Sequence, residues 1–394
     1  MFAKIFKKFR ELGPTGTMHW LWSGIKLRYA QKIRRRKLDF SGKSKNKRQI
    51  FIFAAVPFYD VGGGQRSAQL ARTFARLGFA VHYIYVAPSA ESKVHTMKIP
   101  AITHRFLGDY RLTDFINSIR TSDIAIFELP RKDLIPYLLE TNRKKAKIIY
   151  ENIDNWEAVL GKSFFDKQTA QKFIKIADVS VGTAQPLVGQ LISYGANKNK
   201  VIYAPNAVND TLFNVKRKYV EPKDLMRGKK TLLYYGTLDG EWFDWDLVWG
   251  VAKKLPDYAI NLIGDHKNIS GLVKSAPANV HFLGPKKQTE LPAYLQHSDV
   301  AILPFLIDET VRFVSPLKIF EYIAMDKATI STRLPDLSKY PNVWIGDNLE
   351  EWTKLLKNYL RINKKAAKDF VEKNTWSARA EQLIRAVDSK SHKP

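Results

Sequence analysis

The stretch that decides the fold is Ile50-Phe51-Ile52-Phe53-Ala54-Ala55-Val56-Pro57-Phe58-Tyr59-Asp60-Val61-Gly62-Gly63-Gly64-Gln65-Arg66. An apolar run of strand length gives way to a glycine-rich turn, and Leu70, Phe74 and Leu77 then recur at helical spacing. The same alternation continues downstream. Val81–Val86, Ile124–Glu128, Ile148–Glu151, Val179–Thr183 and Val201–Ala204 read as strands, most of them separated by enough chain for a crossover helix. A charged, proline-containing segment, Val215 to Lys230, interrupts the pattern. It then restarts with Leu232–Tyr235, Ala259–Ile263, Val280–Leu283, Val300–Pro304, Thr329–Ser331 and Val343–Ile345. Repeated strand–helix–strand units make this an α/β chain with two Rossmann-like halves. Ligands of open α/β sheets lie beyond the carboxyl ends of the strands, so the halves should face a cleft lined by loops that follow strands.

Composition and charge bound the rest. The 394 residues suffice for two domains of ~150 residues, and 45% hydrophobic with 26% charged residues excludes a chain disordered throughout. With no cysteine, a disulfide framework, a thiolate metal site and a cysteine nucleophile are all excluded, and a reducing compartment fits. Eight scattered histidines offer little for a metal. The net charge of +26 is concentrated at the start, where residues 1–50 hold fifteen Lys or Arg against Glu11 and Asp39. We therefore divide the chain into a basic extension 1–48, a first domain 49–215, a linker 216–230, a second domain 231–375 and a closing helical segment 376–394.

The extension has a pattern of its own. Phe2, Ile5, Phe6, Phe9 and Leu12 fall at helical spacing with Lys4, Lys7, Lys8 and Arg10 between them, which predicts a basic amphipathic helix. After Gly13-Pro14 come Trp20 and Trp22, then the run Arg34-Arg35-Arg36-Lys37. Aromatic rings beside cations suit an anionic membrane surface. A solvated charge run on an ordinary surface helix is the plain alternative, and nucleic-acid binding a remoter one. No apolar run reaches the ~18 residues of a spanning helix, and the start lacks the apolar core and cleavage site of a secretion signal. The expected place is cytoplasmic, peripheral at the inner face of the membrane.

Four loops are candidates for chemistry. In the first, Asp60 to Arg66, the glycines Gly62, Gly63 and Gly64 let backbone amides approach a phosphate or a sugar at a helix start, although a tight strand-to-helix turn explains them too. Neither the dinucleotide fingerprint nor a P-loop is present. The second, Glu151-Asn152-Ile153-Asp154-Asn155-Trp156, places acid and amide groups beside a ring, as a hydroxyl-binding corner does. Asp154 could take a proton there, or Asp154 or Asn155 could cap a helix. The third, Tyr235-Gly236-Thr237-Leu238, could offer the Gly236 and Thr237 amides to phosphate, while two of Trp242, Phe243 and Trp245 read as core. The fourth is Ser315-Pro316-Leu317-Lys318-Ile319-Phe320-Glu321, with Ser315 placed to cap and Pro316 to open a helix. Lys318 and Glu321 share a helical face near its positive end, where a cation is unfavourable unless an anion binds; an ordinary surface ion pair is the alternative.

Together these residues resemble a GT-B fold glycosyltransferase of the bacterial polysaccharide-assembly type, group 1 and family 4-like. The likeness runs in order through Ala177–Thr183, Pro205–Asn209, Tyr235–Leu238, Asn279–Gly284, Glu290–Leu295 and Ser298–Val300, with Ser315–Glu321 the most specific segment. It implies that Lys318 holds the diphosphate and Glu321 the ribose of a sugar nucleotide, most commonly uridine-linked. It also implies that the nucleotide sugar is substrate, that no cofactor or metal is needed, and that the last helix crosses back to the first domain. Two departures stand out. Phe313 occupies the place of the first of two glutamates carried by many retaining members, and Glu241-Trp242-Phe243-Asp244 stands where those members carry Arg and Lys. The Trp-Phe-Asp variant resembles a subgroup linked to exopolysaccharide, capsule or teichuronic-acid assembly. Retention and inversion both stay open, and an inverting enzyme needs a base in the first domain, with Asp154 the first choice and Asp60 the second.

The expectation is thus a transferase that moves a sugar from a nucleotide diphosphate to a lipid-linked oligosaccharide acceptor. The acceptor would meet the first domain, at Gly62, Gly63, Gly64 and Arg66. The donor would meet the second, at Gly236, Thr237, Ser315, Pro316, Leu317, Lys318 and Glu321. Phe2, Phe6, Phe9, Trp20, Trp22, Arg34, Arg35 and Arg36 would meet the membrane. Rival readings are an epimerase or hydrolase of sugar nucleotides on the same scaffold, and a non-catalytic tether for a polysaccharide-assembly complex.

Overall fold

Apolar runs become parallel strands, and the loops between them carry the helices that cover both faces. The computed structural model describes residues 47–59, 64–87, 99, 101–158, 161–308 and 311–389. The extension residues Phe2, Phe6, Phe9, Trp20, Trp22, Arg34, Arg35 and Arg36, together with Asp60, Gly62 and Gly63, lie outside the described residues.

In the first domain β1 (Gln49–Ala54), α1 (Arg66–Arg76), β2 (Ala80–Tyr85), β3 (Ile102–Phe106), α2 (Leu112–Ser118) and β4 (Ile124–Phe127) are followed by α3 (Ile135–Arg143), β5 (Lys147–Asn152), α4 (Lys167–Ile176), β6 (Val179–Gly182), α5 (Gln185–Ser193) and β7 (Val201–Tyr203). The seven strands are parallel in the order β3-β2-β1-β4-β5-β6-β7. Alternation along each strand divides the core. Ile50, Ile52 and Ala54 point to one face with Leu70 and Phe74 of α1; Phe51 and Phe53 point to the other with Phe115, Leu138 and Phe173. β3 was not foreseen: its Ile-Thr-His-Arg-Phe sequence is an edge strand half open to solvent, so it lacks the continuous apolar run of the inner strands.

The second domain repeats the design with β8 (Thr231–Tyr235), α6 (Trp245–Lys254), β9 (Ala259–Ile263), α7 (Ser270–Lys274), β10 (Val280–Phe282), α8 (Leu291–Gln296), β11 (Val300–Leu303), α9 (Leu317–Ala324), β12 (Ala328–Ser331), β13 (Val343–Ile345) and α10 (Leu349–Lys357). Its strand order is β10-β9-β8-β11-β12-β13, again parallel. Both sheets reverse direction beside their first strand, between β1 and β4 and between β8 and β11. Loops diverge at such a point, leaving a crevice.

Residues 216–230 are not a free linker. Tyr219 N–H donates to Gln296 (2.7 Å), Met226 N–H to Asn261 (3.0 Å) and the Tyr294 hydroxyl to Asp224 (2.7 Å), so the segment lies on the second domain. The chain passes between domains earlier: Ala204 and Ala207 belong to the first core, Val208 and Phe213 to the second. After α11 (Lys364–Lys373), it returns beside that passage, with Val208 N–H on the Asn374 carbonyl (2.9 Å) and Trp376 N–H on that of Val208 (3.2 Å). α12 (Trp376–Asp388) then buries Trp376, Ala380, Leu383 and Val387 in the first domain's core.

Candidate active site

The site in the second domain is built on the turn after β8. Tyr234 and Tyr235 end that strand, and Gly236 turns with φ 144°, a conformation that side chains rarely adopt. A Cβ on Gly236 would stand 2.8 Å from Lys318 Nζ, so that glycine makes room for the lysine, and one on Gly264 would stand 2.1 Å from the Gly236 carbonyl, so Gly264 makes room for the turn itself. Lys318 lies in the first turn of α9, its Nζ 4.9 Å from the centre of the Tyr234 ring and 5.2 Å from that of Phe305. Its polar contact is the Tyr234 hydroxyl, at 3.5 Å. No carboxylate among the described residues lies within ion-pair distance of it. Burial pushes its pKa down to about 8, opposed by the nearby charge of Glu321.

Glu321, one turn on, is 8% exposed and accepts a short hydrogen bond from the Tyr235 hydroxyl. Burial pushes it up to about 7, against the pull of Tyr235, Lys318 and Gln288. Tyr235 fixes the carboxylate, and Gln288 ties it across the cleft, since Gln69 of α1 donates to Gln288 at 3.3 Å. The result is a half-buried ammonium without a carboxylate partner among the described residues, a fixed carboxylate beside it, and the start of a helix. A buried cation is costly unless an anion pairs with it, and helix N-termini favour phosphate. Lys318 and Glu321 are therefore brought together as the sequence predicts.

Their neighbours differ from expectation. Ser315 does not cap α9. Its hydroxyl accepts from Asn206 N–H at 3.4 Å, its carbonyl accepts from the Asn206 amide at 2.6 Å, and Pro316 takes the cap position without a side-chain bond. Leu317 packs against the first domain's core, so Ser315 and Leu317 also join the domains. The Gly236 N–H is spent on the Ile263 carbonyl at 2.9 Å and is not offered to phosphate. Thr237 is exposed, its carbonyl accepting from the Tyr234 hydroxyl at 3.1 Å. Phe243 is core, while Trp242 and Trp245 pack partly buried against it.

In the first domain, Gly64 is half-buried beside the start of α1, but Arg66 does not face the cleft. Its guanidinium grips the fully buried Glu151 at 2.8 and 3.2 Å, and its other arm donates to the Pro205 carbonyl at 3.0 Å and to Asn206 at 3.4 Å. Arg66 is thus a strut within the first domain rather than the acceptor contact that the sequence suggests. Asp154 does follow β5 at the carboxyl edge. It caps no helix; among the described residues its carboxylate accepts the Asn155 N–H at 2.9 Å, and burial pushes it up to about 6. A carboxyl titrating there can take a proton near neutral pH. Trp156 is buried against Phe164 (centroids 5.5 Å apart), so it offers no ring to a sugar. Sequence reasoning missed Glu128, which follows β4 as Asp154 follows β5. It is fully buried, accepts from Ala55 N–H at 3.2 Å, and is raised to about 8 by burial and then by Glu151. Among the described residues no three His, Asp or Glu side chains converge as metal ligands.

Two Rossmann-like domains facing a cleft, with a lysine and a glutamate at one helix start, define the GT-B class of fold. The comparisons with known proteins agree. Residues 229–358, most of the second domain, match the family Glycosyl transferases group 1. A Bacillus subtilis (strain 168) protein named as a teichuronic acid biosynthesis glycosyltransferase, TuaH, is 24% identical over 219 residues, which cover 52% of this chain and 55% of the relative. The match thus spans about half the length of that curated relative. Among solved structures, Anabaena HepE in complex with UDP superposes with a TM-score of 0.63 at 12% identity, covering 87% of this chain and all of that one. Sucrose-phosphate synthase from Thermosynechococcus elongatus gives 0.65 at 12% identity, over 87% and 99%. These likenesses establish the fold.

Proposed function

We propose that the protein is a glycosyltransferase that moves a sugar from a nucleotide diphosphate donor, uridine-linked, to a lipid-linked glycan acceptor of cell-surface polysaccharide at the inner face of a membrane. One observation carries the donor half: the half-buried Lys318 ammonium, without a carboxylate partner among the described residues, beside Glu321 at the start of α9. The diphosphate supplies the missing anion, and Glu321 accepts the ribose hydroxyls in place of Gln288. As the bond to the sugar breaks, negative charge grows on the leaving diphosphate. Lys318 and the α9 amides stabilise it without reorganising. Asp154 stands in the first domain as the base for the acceptor hydroxyl in an inverting reaction, with Asp60 the second choice. Closure of the domains excludes water that would hydrolyse the donor. The group 1 match over the second domain supports the reaction class. The teichuronic acid relative supports the polysaccharide acceptor, and the neighbour solved with UDP supports uridine.

The test is incubation of the full chain with UDP-sugars, with and without a bacterial lipid extract. Release of UDP that requires the extract, accompanied by label in the lipid fraction and lost in Lys318→Ala, is the expected result. Interconversion of the sugar nucleotide without acceptor would support an epimerase instead, and no turnover with intact nucleotide binding would support a tether.

A further inference from the structure

The edge of the first sheet opposite the cleft carries its own charge pattern. Since the seven strands are parallel, their N-terminal ends form one edge, and in sheet order β1, β4, β5 and β7 are entered through Lys47, Arg120, Lys144 with Lys145, and Lys198 with Lys200. These segments touch along the edge. The Arg120 guanidinium donates to the Lys47 carbonyl, Arg48 to that of Ser122 (2.5 Å) and the Thr121 hydroxyl to that of Lys144 (3.1 Å). The carboxylates nearby are already used: Asp123 holds Gln49 and Arg120, Asp178 accepts Ile148 N–H at 2.8 Å, and Asp388 is paired with Arg48 at 2.8 Å. Lys47, Lys145, Lys198 and Lys200 are exposed, and among the described residues none of them has a carboxylate within ion-pair distance.

Both ends of the described chain reach this edge, and each continues in sequence into a basic segment. The extension, with its fifteen Lys or Arg in residues 1–50, joins the sheet through Lys47, and α12 ends here at Asp388, ahead of Lys390 and Lys393. We propose that this edge docks on anionic lipid headgroups together with the extension, so that the cleft points away from the membrane. The inference rests on the membrane reading above and adds the surface that sets orientation. Attraction between lysines and such headgroups acts within a Debye length of ~8–10 Å, so four exposed lysines on one edge, without carboxylate partners among the described residues, favour one pose. Nucleic acid would satisfy the charge as well, but the Phe2, Phe6, Phe9, Trp20 and Trp22 rings between the cations suit a headgroup layer. Strands of about four to six residues at ~3.3 Å each place the cleft ~13–20 Å from the edge, so the acceptor must present its hydroxyl that far from the headgroups.

The experiment is sedimentation of the full chain with phosphatidylglycerol or phosphatidylcholine vesicles. It compares the parent with the variant Lys144→Glu, Lys145→Glu, Lys198→Glu, Lys200→Glu, whose fold is checked by circular dichroism and by unchanged UDP binding. The parent should bind phosphatidylglycerol alone, and the variant at least ten times more weakly at the same salt. Equal binding by parent and variant would overturn the edge while leaving the extension as the anchor. A parent that binds neither vesicle would overturn the membrane reading with it. Tighter binding of RNA than of vesicles, lost in the same variant, would overturn the lipid assignment.

Discussion

Lys318 and Glu321 titrate on either side of the same narrow window, and that gives the site a pH signature. A bound diphosphate favours the ammonium of Lys318, so donor affinity falls as pH rises through about 8. Ribose hydroxyls favour the Glu321 carboxylate, so affinity falls as pH drops through about 7. Calorimetry with UDP-glucose, whose diphosphate diester does not titrate here, should find the tightest binding between the two; a flat profile would contradict the assignment. The same shift separates function from stability. The folded pKa of Lys318 lies below its ordinary value, so its charge opposes folding at neutral pH. Lys318→Met should leave the melting temperature equal or higher while donor affinity falls. Gly236→Ala puts a methyl 2.8 Å from Lys318 Nζ on a φ of 144°, which should cost ~1–3 kcal/mol of stability in urea unfolding and weaken UDP binding with it.

At the scale of elements, Arg66 at the start of α1 joins Glu151 of β5 to Asn206, which in turn holds Ser315 ahead of α9. Arg66→Ala leaves the fully buried Glu151 unpaired, and should cost roughly 3–5 kcal/mol in urea unfolding. Arg66→Met with Glu151→Met should recover most of that loss, and equal losses in the single and double variants would deny the strut. These contacts also mark where the sequence could be read and where it could not. Strands of continuous apolar residues were legible to within about two residues, because burial on both faces leaves no other period. Helix starts such as Asp166, Asp244, Asn348 and Thr375 cap as their residue types suggest. Ser315 and Arg66 were misread because their partners, Asn206 and Glu151, lie 109 and 85 residues away. A local pattern cannot announce such partners. Glu128 was passed over for the same reason, since its burial comes from the strands on both sides.

The whole molecule is two sheets held to one cleft by the passage at Ala207–Val208, by α12 packed on the first domain, and by the Gln69–Gln288 and Tyr203–Asp336 contacts (3.3 Å each). This arrangement was legible as two α/β halves. The return of the last helix came from the family likeness, and the path of residues 216–230 came from neither. Every functional step proposed above requires that the second domain bind a nucleotide diphosphate through Lys318 and Glu321. Isothermal titration of the full chain with a panel of nucleotide diphosphates, repeated on Lys318→Ala and Glu321→Ala, tests this most directly. The expected result is binding of one nucleotide, weakened tenfold or more in each variant, about 1.4 kcal/mol apiece. Absence of binding to every nucleotide, or binding unchanged in both variants, would contradict it.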